Sequence, residues 1–331
     1  MTTRREAILN GTARAAELHA ELKLRDRLLA GDRPVDVLGA VRALDVFVLF
    51  KPLESLLGAY LPKTGQTPAM LLTTKRSLHI QRFTAAHELG HHVLGHRAMS
   101  LDKDVGFVAR GDQSGHDIQE LEADAFASAF MLPDWLVVAH ARRHKWSKRD
   151  LVIPDTVYQL SLRLGASYAA TCWALHQARI VNRDTARRLA DTQPKQSKQR
   201  AIPGITPESW HADVWQLSEH DGGVQVLGNP DDLLVLALKE HPGSGYTWDT
   251  SGVGPAGLKI EKDERQDSDD ELIGGPITRK LIVQGAAHGR LRLEEKRSFD
   301  RQASLNSFEL DLTLLGPEKE GLPRAERPIA A

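Results

Sequence analysis

The sequence predicts an α+β protein in two parts, a mixed helix-and-sheet part followed by an all-β part. Three observations predict it. At 331 residues the chain is longer than one ordinary domain. The apolar spacing changes from three and four to two beyond about residue 207. Charge changes sign at nearly the same place: residues 1–200 carry 29 Lys and Arg against 21 Asp and Glu, and residues 201–331 carry 14 against 23. Opposed halves point to separate domains that have different partners or attract each other.

The elements follow in order. The first forty residues read as helix, with Ala16, Leu18, Leu22, Leu28 and Leu29 recurring on one face. Short apolar runs, "DVFVLFKPL", "GAYLPK" and "PAMLLTTKR", are broken by Gly, Pro and Lys-Thr-Gly and predict strands of a small sheet. A helix is expected over 84–95, with Thr84 as N-cap and Gly95 just past its end. A polar loop (101–116) leads to a helix from Asp117 to Leu132, which Pro133 stops. Residues 140–191 read as basic and helical, and "VYQLSLRLGASYAATCWALHQARIV" has the shape of a helix-turn-helix. It fits a DNA-contacting pair or a small bundle packed on its neighbour. Residues 192–207 are polar and aperiodic and read as a linker. Beyond them "LLVLALKE", "RKLIVQG", "GRLRLEE" and "SFELDLTLL" predict an antiparallel β-domain over 208–315, and 316–331 read as a disordered tail.

Composition excludes several classes. No run of about 18 apolar residues occurs, so no membrane span is expected. The N-terminus lacks the apolar core of a signal peptide, and a single cysteine, Cys172, excludes an internal disulfide and any multi-cysteine zinc site. Cys172 lies in the apolar run "YAATCWAL" and reads as a buried spectator. The cytoplasm is the expected compartment.

The chemistry concentrates in "TAAHELGHHVLGH", residues 84–96. Residues four apart share a helix face, so His87 and His91 can hold one metal ion, expected to be zinc. Glu88 lies about 100° around the helix from His87, beside the metal rather than on it. From there a carboxylate can take a proton from metal-activated water. His92 and His96 lie off that face and are expected to be solvated. A catalytic zinc takes a third protein ligand. In the downstream "QELEADAFASAFMLP", Glu120 and Asp124 again stand four apart. One can ligate while the other accepts the spare N–H of a ligating histidine. Glu122, on another face, is the competitor for the third position and is expected to matter little. Candidates for steadying an oxyanion are His116, Arg110, Tyr60 and Tyr158, among which the sequence does not choose.

"HELGHHVLGH" followed by "ELEADAFASAFMLP" resembles the ImmA/IrrE family of metallopeptidases, whose second motif reads roughly E-x-x-A-[ND]-x-F-A-x-x-L-[LM]-P. The resemblance takes in about residues 1–185, with the zincin-like domain over 1–139. It implies a gluzincin-like peptidase in which Glu120 is the third ligand and Asp124 orients a histidine. It further implies a narrow protein substrate, often a transcriptional repressor cleaved during stress.

The β-domain carries "LKEHPGSGYTWDT". This resembles the N-P-T-T-G-[YF]-x-W loop of the chagasin family, inhibitors of papain-type cysteine peptidases, and implies an immunoglobulin-like sandwich that binds a protein partner. Its loop would comprise His241, Pro242, Gly243, Ser244, Gly245, Tyr246 and Trp248. His241 stands in place of Asn, Gly243 and Ser244 replace two Thr, and Arg297-Ser298-Phe299 lack the family's Pro and Trp, so inhibition itself is not expected. Two rival functions come from other classes: a DNA-binding regulator with a structural zinc site, and a protease-binding protein with an idle one. With a polar linker between oppositely charged halves, the two parts are expected to dock at low salt and separate as screening grows.

Overall fold

The computed structural model describes residues 3–31, 33–62, 67–96, 100–102, 118–266, 276–297 and 300–327. Three helices open the chain: α1 (Arg4–Glu21), α2 (Leu24–Gly31) and α3 (Val37–Ala43). Thr3 and Glu6 cap α1 reciprocally, each side chain bonding the other's backbone N–H. The expected strands form as β1 (Phe47–Lys51), β2 (Gly58–Leu61) and β3 (Ala69–Thr73). The long helix α4 (Leu78–Val93), β4 (Ser100–Asp102) and α5 (Ile118–Met131) follow. The sheet order is β1-β3-β2-β4, with β1 and β3 parallel. α4 begins at Leu78, six residues before the expected start, and Thr84 is buried in mid-helix rather than at its N-cap.

Helices α6 (Asp134–Arg143), α7 (Pro154–Leu164), α8 (Tyr168–Gln177) and α9 (Arg183–Ala190) fill the basic segment. The segment expected to be a linker instead holds α10 (Pro194–Ala201), with Pro194 in its first turn. Its Lys198 is buried and donates to the carbonyls of Trp210 and Ala212 at 3.0 and 2.7 Å. The carbonyls of Trp210, His211 and Ala212 and the Asp213 carboxylate, gathered at one ammonium, pin a polar stretch that composition alone marks as loose.

The β part has two four-stranded sheets. One, in the order β5-β7-β10-β9, holds β5 (Val214–Ser218), β7 (Leu233–Glu240), β9 (Lys259–Gln266) and β10 (Ile277–Gln284). The other, in the order β6-β12-β11-β8, holds β6 (Gln225–Gly228), β8 (Tyr246–Asp249), β11 (His288–Arg297) and β12 (Asp300–Leu314). Leu234, Leu236 and Leu281 of the first meet Leu291, Phe308 and Leu310 of the second in one buried core. Pairing is antiparallel as expected, except that β5–β7 and β6–β12 are parallel.

The two parts do not stand apart. β5 is an edge strand, and such edges expose unpaired backbone groups. Side chains of α7 take them. Tyr158 Oη accepts from Val214 N at 2.9 Å, and Gln159 donates to Val214 O at 2.8 Å and accepts from Gln216 N at 2.8 Å. Arg163 donates to Gln216 O at 2.7 Å and pairs with Asp221 at 2.7 Å, each side chain of that ion pair only 1% exposed. A pair this deep is little screened by salt, so the expected salt-driven separation does not fit the structure. The expected tail is also docked: Gly321 pairs antiparallel with Phe50 on the edge of β1, and Gln81 exchanges two hydrogen bonds with the backbone of Glu318. Another exposed edge is the physical reason, since it offers free N–H and C=O groups to a passing segment.

Candidate metal centre

Helices α4 and α5 cross in contact because both carry small residues at the crossing. A Cβ added at Gly90 would lie 3.1 Å from Ala123 Cα and from the Phe126 ring. That closeness brings the two motifs together. His87 Nε2 lies 3.0 Å from His91 Nε2 and 3.1 Å from Glu120 Oε2, and His91 Nε2 lies 3.6 Å from Glu120 Oε1. Among the described residues these three are the group of His, Cys, Asp and Glu side chains arranged to hold a metal ion. Four ligands at about 2.05 Å around zinc stand about 3.3 Å apart, so the donor spacing fits a tetrahedral ion. Both histidines are buried, at 2% and 1% exposure, whereas the Glu120 side chain is 30% exposed. The site therefore opens on the Glu120 side.

The backs of the histidines are also held. His87 Nδ1 meets Asp124 Oδ1 at 2.9 Å, the place expected for a carboxylate that orients a ligand. Burial disfavours charge on His87, yet hydrogen bonds to Asp124 and Glu120 and the charge of Glu88 hold its pKa well above the ordinary value. For His91 burial wins over Glu120, and the pKa falls. Two carboxylates facing buried imidazoles thus create a negative pocket suited to a cation. Glu88 is fully buried against β2: a Cβ on Gly58 would stand 2.8 Å from Glu88 Oε1 and 2.5 Å from Thr84 Cγ2. A glycine at 58 is what lets the strand pass so close to that carboxylate.

Other sequence-nominated residues fall elsewhere. Tyr158 is buried between α7 and β5, donating to Asp213 at 2.9 Å, and so is no oxyanion donor. The Tyr60 hydroxyl is engaged with His92 Nδ1 at 3.0 Å. Arg110 and His116 lie outside the described residues. His96, expected to be solvated, is 6% exposed, with Nδ1 2.7 Å from His91 Nδ1 and Nε2 3.0 Å from Glu122. The signal that places it is Gly95, at φ +70°. Gly95 N bonds His92 O and His96 N bonds His91 O, the paired bonds of a Schellman turn, which folds the residue after the glycine back over the last helical turn. Cys172 is fully buried as expected, and burial pushes its thiol up to about 12.

Residues 41–176 match the family model of peptidase M78, the IrrE N-terminal-like domain. The first part of the chain is metallopeptidase-like, and the match joins the His87, His91 and Glu120 cluster in pointing to a metal cofactor. Residues 229–314 match the model of the chagasin family of peptidase inhibitors. Three solved structures are similar to about a third of the chain. The cysteine protease inhibitor EhICP2 of Entamoeba histolytica is 18% identical, over 32% of this chain and 99% of its own, with a TM-score of 0.28. Amebosin is 17% identical, over 30% of this chain and 96% of its own, with a TM-score of 0.24. PbICP-C, solved in complex with falcipain-2, is 16% identical, over 34% of this chain and 95% of its own, with a TM-score of 0.20. No curated protein matches the chain.

The inhibitor-like loop is tightly held where it is described. His241 donates from both its backbone N and its ring Nδ1 to Glu295 Oε1, at 2.7 and 2.9 Å. Pro242–Ser244 form a 3-10 turn, Gly245 takes φ +80°, and Arg297 lies over the Tyr246 ring at 4.5 Å. Trp248 is a core residue, 4% exposed, its indole N–H donating to Lys239 O at 2.7 Å.

Proposed function

We propose that this chain is a zinc-dependent endopeptidase that cleaves a specific intracellular protein, with the β part as its protein-binding domain. The convergence of His87 Nε2, His91 Nε2 and Glu120 beside a buried Glu88 is the observation that carries the reading. A zinc ion held there supplies a Lewis acid for the peptide carbonyl and brings the pKa of a bound water to about 7. Asp124 accepts the Nδ1 proton of His87 and so leaves the Nε2 lone pair for the metal. Glu88 takes the proton of the attacking water and passes it to the leaving amine nitrogen. The partly exposed Glu120 marks the side from which substrate enters.

Family resemblance favours a transcriptional repressor, cut in a stress response, as the substrate, and the cytoplasm as the place. For the β part we favour partner capture over inhibition. The loop departs from the chagasin pattern at His241, Gly243 and Ser244, and Trp248 is committed to the core. DNA contact by residues 140–191 has less support. The polar side chains of α7 are occupied by β5, and α8 contains no Lys or Arg. Among the described residues no helix is long and apolar enough to cross a membrane.

Metal analysis and proteolysis test the reading together. Purified protein should hold one zinc per chain and lose it in His87→Ala or His91→Ala. Glu88→Gln should keep the metal and lose hydrolysis, read by mass spectrometry of cellular proteins incubated with each form. Full zinc occupancy in the double histidine variant, or cleavage by Glu88→Gln at the wild-type rate, would sink it.

A further inference from the structure

We propose that His96, Glu122 and Asn10 form a positioning relay that fixes His91 in the tautomer able to bind metal, so that α1 is part of the metal centre. The inference rests on the metal-binding reading above and extends it to Asn10 of α1, outside the span matched by the peptidase model.

The hydrogen-bond directions along the chain have one solution. For His91 Nε2, which faces His87 and Glu120, to bind the metal it must offer a lone pair, so its proton must sit on Nδ1. That Nδ1 lies 2.7 Å from His96 Nδ1, which must therefore accept. An imidazole that accepts at Nδ1 while neutral carries its proton on Nε2, and His96 Nε2 lies 3.0 Å from Glu122 Oε2, an acceptor. The other oxygen, Oε1, accepts from Asn10 Nδ2 at 2.9 Å. Each link donates toward Glu122, whose charge strengthens His91 as a ligand through the intervening ring.

Packing fits the same purpose. His91, His96 and Glu122 are 1%, 6% and 9% exposed, so water does not compete for the His91–His96 and His96–Glu122 bonds. Asn10 reaches Glu122 because its neighbour is glycine: a Cβ on Gly11 would stand 2.2 Å from Glu122 O and 2.9 Å from Phe126 N. The Gly95 turn supplies the other half by folding His96 back over His91. Glu122 is thus no ligand, as its place on another helix face implies, but neither is it idle, as the sequence led one to expect. It does for His91, at one remove, what Asp124 does for His87.

The test uses the full-length protein and metal alone. Zinc dissociation constants come from competition with a chromogenic chelator, and the visible spectrum of the cobalt-substituted protein reports ligand geometry. Glu122→Gln and His96→Phe should each bind zinc about 10–100-fold more weakly, with a shifted cobalt spectrum. Asn10→Ala, at an exposed position, should weaken binding a few-fold. Because the relay acts as a unit, Glu122→Gln added to His96→Phe should weaken binding no further. Dissociation constants within about twofold of wild type in Asn10→Ala and in folded Glu122→Gln, with the cobalt spectrum unchanged, would overturn the relay and leave a merely structural cluster. Additive losses in the double variant would overturn it as well. A wild-type protein that holds no metal would overturn the metal-binding reading itself.

Discussion

The metal centre and the junction between the two parts are both buried and polar, but they are built at different ranges. At the metal centre each motif supplies its residues at a short regular spacing, His87, His91 and His96 around the end of α4 and Glu120 with Asp124 on α5. The two sets nonetheless meet across 33 residues, and Asn10 reaches Glu122 from 112 residues away. At the junction Arg163 meets Asp221, and Tyr158 meets Asp213 and Val214, more than fifty residues away. The first kind of arrangement is visible in a sequence because helix geometry dictates it. Nothing local dictates the second, since Asp221 is chosen by where β5 happens to lie. The comparison teaches that function and stability can be legible to very different degrees within one chain.

The largest effect is expected at the junction, which no local spacing signals. Replacing Asp221 with Asn leaves the Arg163 guanidinium buried beside an uncharged partner, and losing one member of a buried pair costs about 3–5 kcal/mol. Arg163→Leu should cost a similar amount, because Gln159 and Gln216 also lose its hydrogen bonds. Equilibrium unfolding in urea measures both. Ending the chain near Gln199 would strip the partners from the α7 side chains as well, so the shortened protein should not fold. That reverses the independence of the halves expected from the charge pattern. Wild-type stability in Asp221→Asn, or a folded chain ending near 199 that holds zinc, would make the junction a loose contact and break the comparison.

A second effect of the junction depends on pH. His140 and His144 lie beside Arg163; burial first, then the Arg163 charge, lowers each pKa to about 3. Arg163 Nε donates to His144 Nε2 at 3.1 Å, which requires that nitrogen to be unprotonated. Unfolded, each ring titrates near 6.5, so between pH 6.5 and 3 the unfolded chain binds more protons than the folded one. Stability from this source is full above about pH 6.5 and is lost as pH falls, by at most about 2.7 kcal/mol per unit for two rings. Urea unfolding at pH 7, 6 and 5 should show the loss, and His140→Leu with His144→Leu should flatten the slope over that interval. An unchanged slope in the double variant would place the acid sensitivity elsewhere.

Much of the fold was legible. The three strands before α4, the four strands named in the β part, α5 and the α7–α8 pair fall where periodicity and turn residues put them, and α6 and α9 lie in or beside the stretch read simply as helical. The misses share a cause, for each involves a polar segment held by something far away in sequence. α10 is pinned through Lys198 by carbonyls of residues 210 and 212, and the supposed tail by the edge of β1. Within the candidate site, His87, His91, Glu120 and Asp124 lie together, as the spacings of four allow and the family resemblance implies, whereas the places of His96 and Asn10 were not legible. His96 is not legible as long as the helix is taken to end at Gly95. A glycine in that place makes a return turn, and the residue after it is carried back to the helix.

Gly95 therefore offers the smallest and cleanest test of the difference between the two regions. Among the described residues an added Cβ meets nothing within 4 Å, so Gly95→Ala clashes with none of them. Its whole cost comes from holding φ at +70° with a side chain, about 1–2 kcal/mol. If the metal centre is built by local geometry, part of that strain should be relieved by opening the turn, which withdraws His96 from His91. Zinc affinity should then fall several-fold although the substituted residue touches no ligand. The junction, nowhere near this turn in its hydrogen bonding, should keep its pH dependence. A loss of about 1 kcal/mol in urea with zinc affinity intact would mean that the turn closes the helix and nothing more. Lost affinity with an unaltered pH slope would show that a single backbone angle, set by one glycine, supports the metal centre independently of the contact that holds the molecule together.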